Sequence, residues 1–495
     1  MQNSDLVEII SVLTGDERDR LPIFLEKTSP SFKPDAIRLV NHVLQCILNG
    51  KSSELSRKDT YAFLFPRQDW VDNKLEKLMS EALSIVRQFA ALEISKRQVS
   101  DLRQALFLQM FYNERGLVDK SRTAYRQIDR AKIKRESWTA EDYFTSFLSE
   151  KEELYAQSVR NRRKDDVNLK NAMSALSEYY LVEHLWLVCY MLNQRQVASL
   201  DISSIQEMSF LDLESPRLRW FFKKPLGQLF KKAIFLLNNE EQENVQDLRD
   251  FVELLRSYES VISNGDMHLF EMTAINLGIR RGNNGNYSYV DLVVQIQKDR
   301  VNSGRIYIEK GQISATEFLS IFTTGLRLND LEWVKTFIES HKKKILGVMP
   351  SEQYYEFALA NYYYYIKEYQ ETRRILMTSD YEDIQCRISA RILEIKALFE
   401  LSILENADYR VGEYLEDRVE AAILFFFRLK DAEPRKKRMG KRFADTMKRI
   451  LHAHGNRDAK RLEKIIEDVK TAELIAERQW LTSIIADLIK HLKKS

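Results

Sequence analysis

The chain is short of the residues that punctuate or staple a polypeptide: its 495 residues hold 15 glycines, 8 prolines and 3 cysteines. With so little Gly and Pro, and alternating apolar–polar stretches almost absent, a β-rich fold is excluded and helices joined by short turns are expected. An odd, sparse cysteine set (Cys46, Cys189, Cys386), each in an apolar helical context, excludes a disulfide framework and predicts buried free thiols. Neither sign of charge dominates. Lys and Arg number 76 against 73 Asp and Glu, and a net charge of +3 does not by itself point to nucleic acid. Long uncharged apolar runs are also missing. The densest, Tyr179 to Leu192, contains Glu183 and His184. A spanning helix needs about 20 largely uncharged residues, so no membrane insertion is expected. The opening Met1-Gln2-Asn3-Ser4-Asp5 lacks the basic start of an export signal, and a cytoplasmic location is expected.

Signatures of chemistry are lacking as well. Gly50-Lys51-Ser52 looks like the end of a phosphate-binding loop, but Gln45 stands where that motif needs glycine, and an apolar helix precedes it where a strand is required. Gly278, Gly282 and Gly285 are spaced wrongly for a dinucleotide fingerprint. There is no Cys-x-x-Cys and no His-Glu-x-x-His, and His452 and His454, two apart on a helix, point to different faces. The expectation is a protein without catalytic residues, cofactor or metal.

What the chain does contain is helical periodicity. Pro22, Pro30, Pro34 and Pro66 break the first 66 residues into short helices. A long helix follows from about Asp69, with Leu75, Leu78, Ala82, Ile85, Phe89 and Leu92 as one apolar stripe. Residues 99–195 read as three or four helices, among them a basic face at Arg122–Arg135 and a charged interruption at Arg160–Asp166. The stretch Leu169 to Leu192 is apolar nearly all round, which predicts a helix at the centre of a bundle. A boundary is expected near Ser215-Pro216, and Val245, Leu248, Val252 and Leu255 form a further stripe. Six of the 15 glycines then fall between Gly265 and Gly311, with a turn cluster at Gly282-Asn283-Asn284-Gly285-Asn286. These shifts divide the chain into an N-terminal helical segment (1–98), a central bundle (99–264) and a C-terminal array (265–495).

Within that last part a helical hairpin is stated three times between Ile313 and Arg428. Leu328-Asn329-Asp330-Leu331, Ile366-Lys367-Glu368-Tyr369 and Asn406-Ala407-Asp408-Tyr409 each join two amphipathic stretches, and their closing residues recur after 38 and then 40 residues. Such a period marks stacked helix pairs. Phe318, Ile321, Phe322 and Leu326 face Leu331, Val334, Phe337 and Ile338 in the first pair. Phe357, Leu359, Ala360 and Tyr363 face Tyr369, Ile375 and Leu376 in the second; Ile392, Ile395 and Leu398 face Tyr409, Leu415, Val419 and Ile423 in the third. Burying each large side chain contributes roughly 1.5–3 kcal/mol, so an isolated pair barely offsets its ordering entropy and stacking is required. The final stripe of Leu474, Leu481, Ile485, Leu488 and Leu492 suits a terminal cap, with docking on another subunit as the alternative.

The second hairpin resembles a tetratricopeptide repeat: Leu359, Ala360, Tyr363, Tyr369 and Leu376 match its large, small, aromatic, aromatic and large positions. Thr372 departs from the family's alanine, no proline closes the repeat, and the neighbouring pairs exceed the family's period of about 34 residues. Through Phe318–Trp333 and Tyr354–Leu376 the whole chain is also similar to a tetratricopeptide-like family of cytoplasmic proteins from Bacteroidetes-type bacteria. The resemblance implies a peptide- or protein-binding scaffold. The fold expected is therefore all-α, an α-solenoid of stacked antiparallel helix pairs with a more irregular N-terminal half.

Two features are candidate contact surfaces. Tyr362-Tyr363-Tyr364-Tyr365, with Tyr354 and Tyr355 upstream, sets phenol groups all round one helix. They serve either packing between repeats or a partner groove, for which Tyr354, Tyr362, Tyr365 and Arg373 are the candidates. The other is Arg435, Lys436, Lys437, Arg438, Lys441 and Arg442, followed by Lys448 and Arg449. It is either a solvated helix face compensated by Asp408, Glu413, Glu416 and Asp417, or a contact for an acidic partner or phosphates. A protein partner leads; nucleic acid held by 122–135 and 435–449 is the alternative.

Overall fold

The computed structural model describes residues 4–50, 55–71, 73–134, 138–159, 167–195, 216–239, 244–283, 286–308, 311–379, 381–404, 409–430 and 433–494. The sequence features at 1–3, Lys51-Ser52, Arg135, 160–166, Ser215, Asn284-Gly285 and 406–408 lie outside them. The architecture is helical. A parallel pairing of two short strands, Ile313–Ser314 with Ile345–Leu346, is the sheet among the described residues. No helix of the described residues is long and apolar enough to cross a membrane. Cys46, Cys189 and Cys386 are buried free thiols. The chain forms two compact units, Met1–Val182 and Glu183–Ser495, which divide inside the segment 99–264.

The first unit runs α1 (Asp5–Val12), α2 (Gly15–Thr28), α3 (Pro34–Leu48), α4 (Arg57–Leu64), α5 (Lys74–Gln98), α6 (Asp101–Glu114), α7 (Val118–Lys134) and α8 (Ala140–Val159), and takes in the start of α9 (Val167–Arg195). Thr14 starts α2 with a capping box, its hydroxyl accepting from the Glu17 amide while Glu17 accepts from the Thr14 amide. Pro22 does not break the chain; it sits inside α2. The α5 stripe is buried from Leu75 to Phe89, but Leu92 is 41% exposed and Glu93 is buried in its stead. At about 100° per residue, position 93 returns above position 75 while 92 falls roughly a quarter-turn away. Glu93 is held by Arg20 at 2.7 Å and Lys96 at 3.1 Å. The centre-of-bundle expectation for α9 is corrected: Ala172, Ala175, Leu181, Leu185 and Cys189 are buried, whereas Leu169, Met173, Leu176 and Leu187 are exposed. Apolar composition all round a helix does not ensure cover all round.

The second unit contains the rest of α9, then α10 (Pro225–Asn238), α11 (Val245–Ser257), α12 (Asn264–Gly282), α13 (Tyr287–Asn302), β1 (Ile313–Ser314), α14 (Ala315–Arg327), α15 (Leu331–His341), β2 (Ile345–Leu346), α16 (Ser351–Tyr365), α17 (Tyr369–Thr378), α18 (Ile384–Leu404), α19 (Tyr409–Arg428), α20 (Pro434–Gly455), α21 (Ala459–Thr471) and α22 (Arg478–Lys494). From α14 onward each helix packs on the next, and the first helices of successive pairs also touch: α14 on α16, α16 on α18, α18 on α20. One buried cluster joins Phe318, Phe322, Val334 and Phe337 to Tyr354, Phe357 and Cys386; another runs from Ile388 through Leu415, Phe443 and Leu462 to Leu488. Leu474 precedes α22 and so is not on its stripe. The array is entered through a buried ion cluster. Fully buried Arg300 meets Glu271 at 2.9 Å and also pairs with Glu317, and Arg305 meets Glu271 at 2.9 Å.

The turns repeat in detail. Asn329, Lys367 and Arg457 take left-handed φ values of 62°, 67° and 52°. In each, that residue's amide donates to the carbonyl three back, and the next amide donates to the carbonyl five before itself: Asp330 to Gly325, Glu368 to Tyr363, Asp458 to Ala453. This is the Schellman pattern, which satisfies the carbonyls a helix leaves open and reverses the chain in the fewest residues. The third turn therefore joins α20 to α21; the one expected at 406–409 falls largely outside the described residues. Close approach at the first hairpin needs glycine, since a Cβ on Gly325 would lie 2.5 Å from Val334 Cγ2. A Cβ-bearing residue in the left-handed region is strained by roughly 1 kcal/mol relative to glycine. Lys367→Gly is thus expected to raise unfolding free energy by about 0.5–1 kcal/mol and Lys367→Val to lower it, measured by urea denaturation.

Candidate partner-binding groove

The first helices of three consecutive pairs line a common groove of about 430 Å³, whose floor includes the buried core residues Leu326, Phe357, Cys386, Ile392 and Leu393. Helix α14 contributes Thr316, Ser320, Thr323 and Arg327, spaced i, i+4, i+7 and i+11; α18 contributes Gln385, Ser389, Ile392 and Lys396 at the same spacing. Between them α16 presents Phe357, Asn361 and Tyr365. Hydroxyls and amides set in a larger apolar area make a surface that can hydrogen-bond an extended chain while covering its side chains. Asn361 donates to the Phe357 carbonyl at 2.8 Å, which orients its amide.

One end of the groove is charged. Lys396 Nζ lies 2.6 Å from Glu477 Oε2, 4.7 Å from the Tyr364 ring centre and 5.5 Å from that of Trp480. Trp480 is oriented by its indole N–H, which donates to Glu400 at 2.9 Å. Burial, with Glu400, Tyr369 and Glu477 nearby, pushes the Tyr364 phenol far up, so it stays neutral.

The tyrosine cluster divides. Tyr365 lines the groove and is 38% exposed. Tyr354, expected on the surface, is fully buried: its hydroxyl donates to Asp383 at 2.9 Å and accepts from the Val348 amide at 3.2 Å. Burial first, and then Asp383, push its phenol up to about 12. Its hydroxyl is held between the loop before α16 and the start of the next pair, which spacing within one helix could not reveal. Tyr362 is half-buried against the same core cluster. Arg373 lies away from the groove, with its guanidinium 5.1 Å from the Tyr414 ring centre.

The basic candidates occupy the first half of α20. Arg435, Lys436, Arg438, Lys441 and Arg442 are exposed, and Lys437 is half-buried with its ammonium on the Leu429 carbonyl at 2.6 Å. The expected compensation by Glu416 and Asp417 is replaced by other partners further along, Lys448 with Glu420 at 2.8 Å and Arg449 with Asp468 at 2.5 Å. Arg438 and Lys441 form no ion pair among the described residues. Lys436 donates to Gln385 Oε1 at 3.1 Å, and Gln385 lines the groove. The two surfaces that the sequence offered separately therefore meet at Gln385. Sequence reasoning missed Thr316, Ser320, Asn361, Ser389, Lys396 and Glu477, although small polar residues at helical spacing opposite a core stripe were visible.

No protein-family model, curated protein or solved structure matches the chain.

Tyr354→Phe leaves Asp383 without its buried donor and the Val348 amide without its acceptor. It is expected to cost about 1–3 kcal/mol in chemical denaturation.

Proposed function

We propose that α14 to α22 form an α-solenoid of tetratricopeptide-like helix pairs, and that the protein is a non-enzymatic cytoplasmic scaffold holding a segment of a partner protein in the groove. The observation that carries this reading is the shared groove itself. Three helices from three consecutive pairs line one cavity, with hydroxyls and amides at one-turn intervals beside its apolar floor. A chain laid across them exchanges water for these donors and acceptors and covers half-buried Leu319. Tyr365 adds aromatic area with a hydrogen-bonding tip. None of this calls for a reacting group, and among the described residues no three His, Cys, Asp or Glu side chains cluster as metal ligands.

A second reading draws on Arg438 and Lys441, which lack ion-pair partners among the described residues, and on exposed Arg126, Arg130 and Lys134 along one face of α7. Those cations suit phosphates, and binding of that kind falls steeply with salt. The groove is the better-built feature, because its lining comes from three separate helices.

The test is selection of peptides from a random display library on the full chain, followed by titration against Ser389→Trp and Thr323→Trp. Both place bulk in the groove without adding charge. Binding weakened by about tenfold or more in both, with unchanged melting, is the expected result. Selected peptides that bind both variants as tightly as the original chain overturn the groove as the site.

A further inference from the structure

Resting on the groove reading, we infer that the groove takes an acidic protein segment, and that Glu477 is a built-in occupant of the carboxylate position at Lys396. The charged lining residues are Arg327, Lys396 and Glu477. Two of the three are cations, and the one carboxylate sits on one of them. Lys436 adds a further cation at the rim through Gln385. With Glu477 withdrawn, no carboxylate remains among the groove's lining residues, and Glu400 stays engaged by the Trp480 indole.

The Lys396 position is made for an anion. Its side chain is only 10% exposed, walled by Tyr364 and Trp480, so its ammonium has little water to fall back on. A cation desolvated to this extent needs an anionic partner at hydrogen-bond distance. Rings that hold the ammonium on their faces leave its N–H donors for an incoming oxygen. Trp480 cannot swing away without losing its bond to Glu400.

Glu477 differs from its partner in every respect that bears on exchange. Its side chain is 39% exposed. It stands at the start of α22, 81 residues along the chain from Lys396, and its backbone is left-handed at φ 56° although it is not glycine. The carboxylate is thus delivered from a connection between helices under local strain, while the cation is fixed within a helix. Strain of this kind persists where surrounding contacts hold it, and the Lys396 pair is one such contact. A partner carboxylate entering beside Tyr365 and Ser389 can take the place of Glu477, which then turns to solvent. The exchange leaves the number of buried ion pairs unchanged, so the intrinsic pair sets a threshold that neutral segments do not meet and acidic ones do.

The experiment uses the full chain and two acetylated, amidated ten-residue peptides, one of Leu and Glu and the other with Gln in place of every Glu. Affinities are measured by fluorescence anisotropy at about 0.1 M salt. Glu477→Gly removes the carboxylate and suits the left-handed backbone; Glu477→Gln keeps an amide oxygen to accept from Lys396, and unchanged melting qualifies each variant for the measurement. Both are expected to bind the acidic peptide about five- to tenfold more tightly while the neutral peptide changes by less than about twofold. Lys396→Gln is expected to abolish the preference for the acidic peptide. In the unmodified chain, added salt weakens the acidic complex alone. Equal gains for both peptides, or no gain for either, overturn the inference. So does tighter binding of a mixed-sequence oligonucleotide, lost on charge reversal of Arg438 and Lys441, which assigns the surface to nucleic acid. Failure of the groove itself is read separately: Ser389→Trp then leaves both peptides bound, whatever stands at position 477.

Discussion

No helix pair in the second half of this protein can bury its own apolar face, and the rest of the structure follows from that constraint. Phe318, Phe322 and Phe337 of the first pair are covered by Phe357 and Tyr354 of the second, and Cys386 of the third closes the same cluster. From Ile388 onward a second cluster continues to Leu488 in the final helix. Helices α16 and α18 are thereby each flanked by two other first helices. Their buried residues are fixed by this packing, and Phe357, Cys386 and Ile392 among them also floor the groove.

The reversals keep this arrangement in step. Asn329, Lys367 and Arg457 adopt the same left-handed conformation with the same pair of backbone hydrogen bonds. The same short reversal at these three turns brings the second helix of each hairpin back against the first. At the entry, where the pattern has no preceding pair, apolar packing is supplemented by Arg300, Glu271, Glu317 and Arg305. Removing one member of such a buried cluster leaves the others unpaired at a cost of several kcal/mol, which makes it a specific rather than an adaptable joint.

Much of this was legible in the sequence, and the failures have physical causes. Helical period and the turns at 328–331 and 366–369 were visible because both are local: side-chain spacing and a short reversal are set within about ten residues. Burial of one tyrosine against another was not. Tyr354 and Tyr365 lie on the same helix with similar surroundings in sequence, yet Asp383 from the next pair buries the first and the groove exposes the second. The α9 helix failed for the converse reason, since composition alone does not say how many neighbours a helix has. Leu92 and Glu93 show that a stripe counted in threes and fours drifts off the true axis after five turns. The groove depended on pairings such as Lys396 with Glu477, which only folding brings together. Its polar lining looked like ordinary solvent-facing residues.

The account turns on partner binding at the first helices of successive pairs. Hydrogen exchange followed by mass spectrometry, on the full chain with and without a selected peptide, tests this most directly. Slowed exchange in α14, α16 and α18, with α15 and α17 unchanged, is the result predicted. Protection confined to α15, α17 or the basic start of α20 would contradict it.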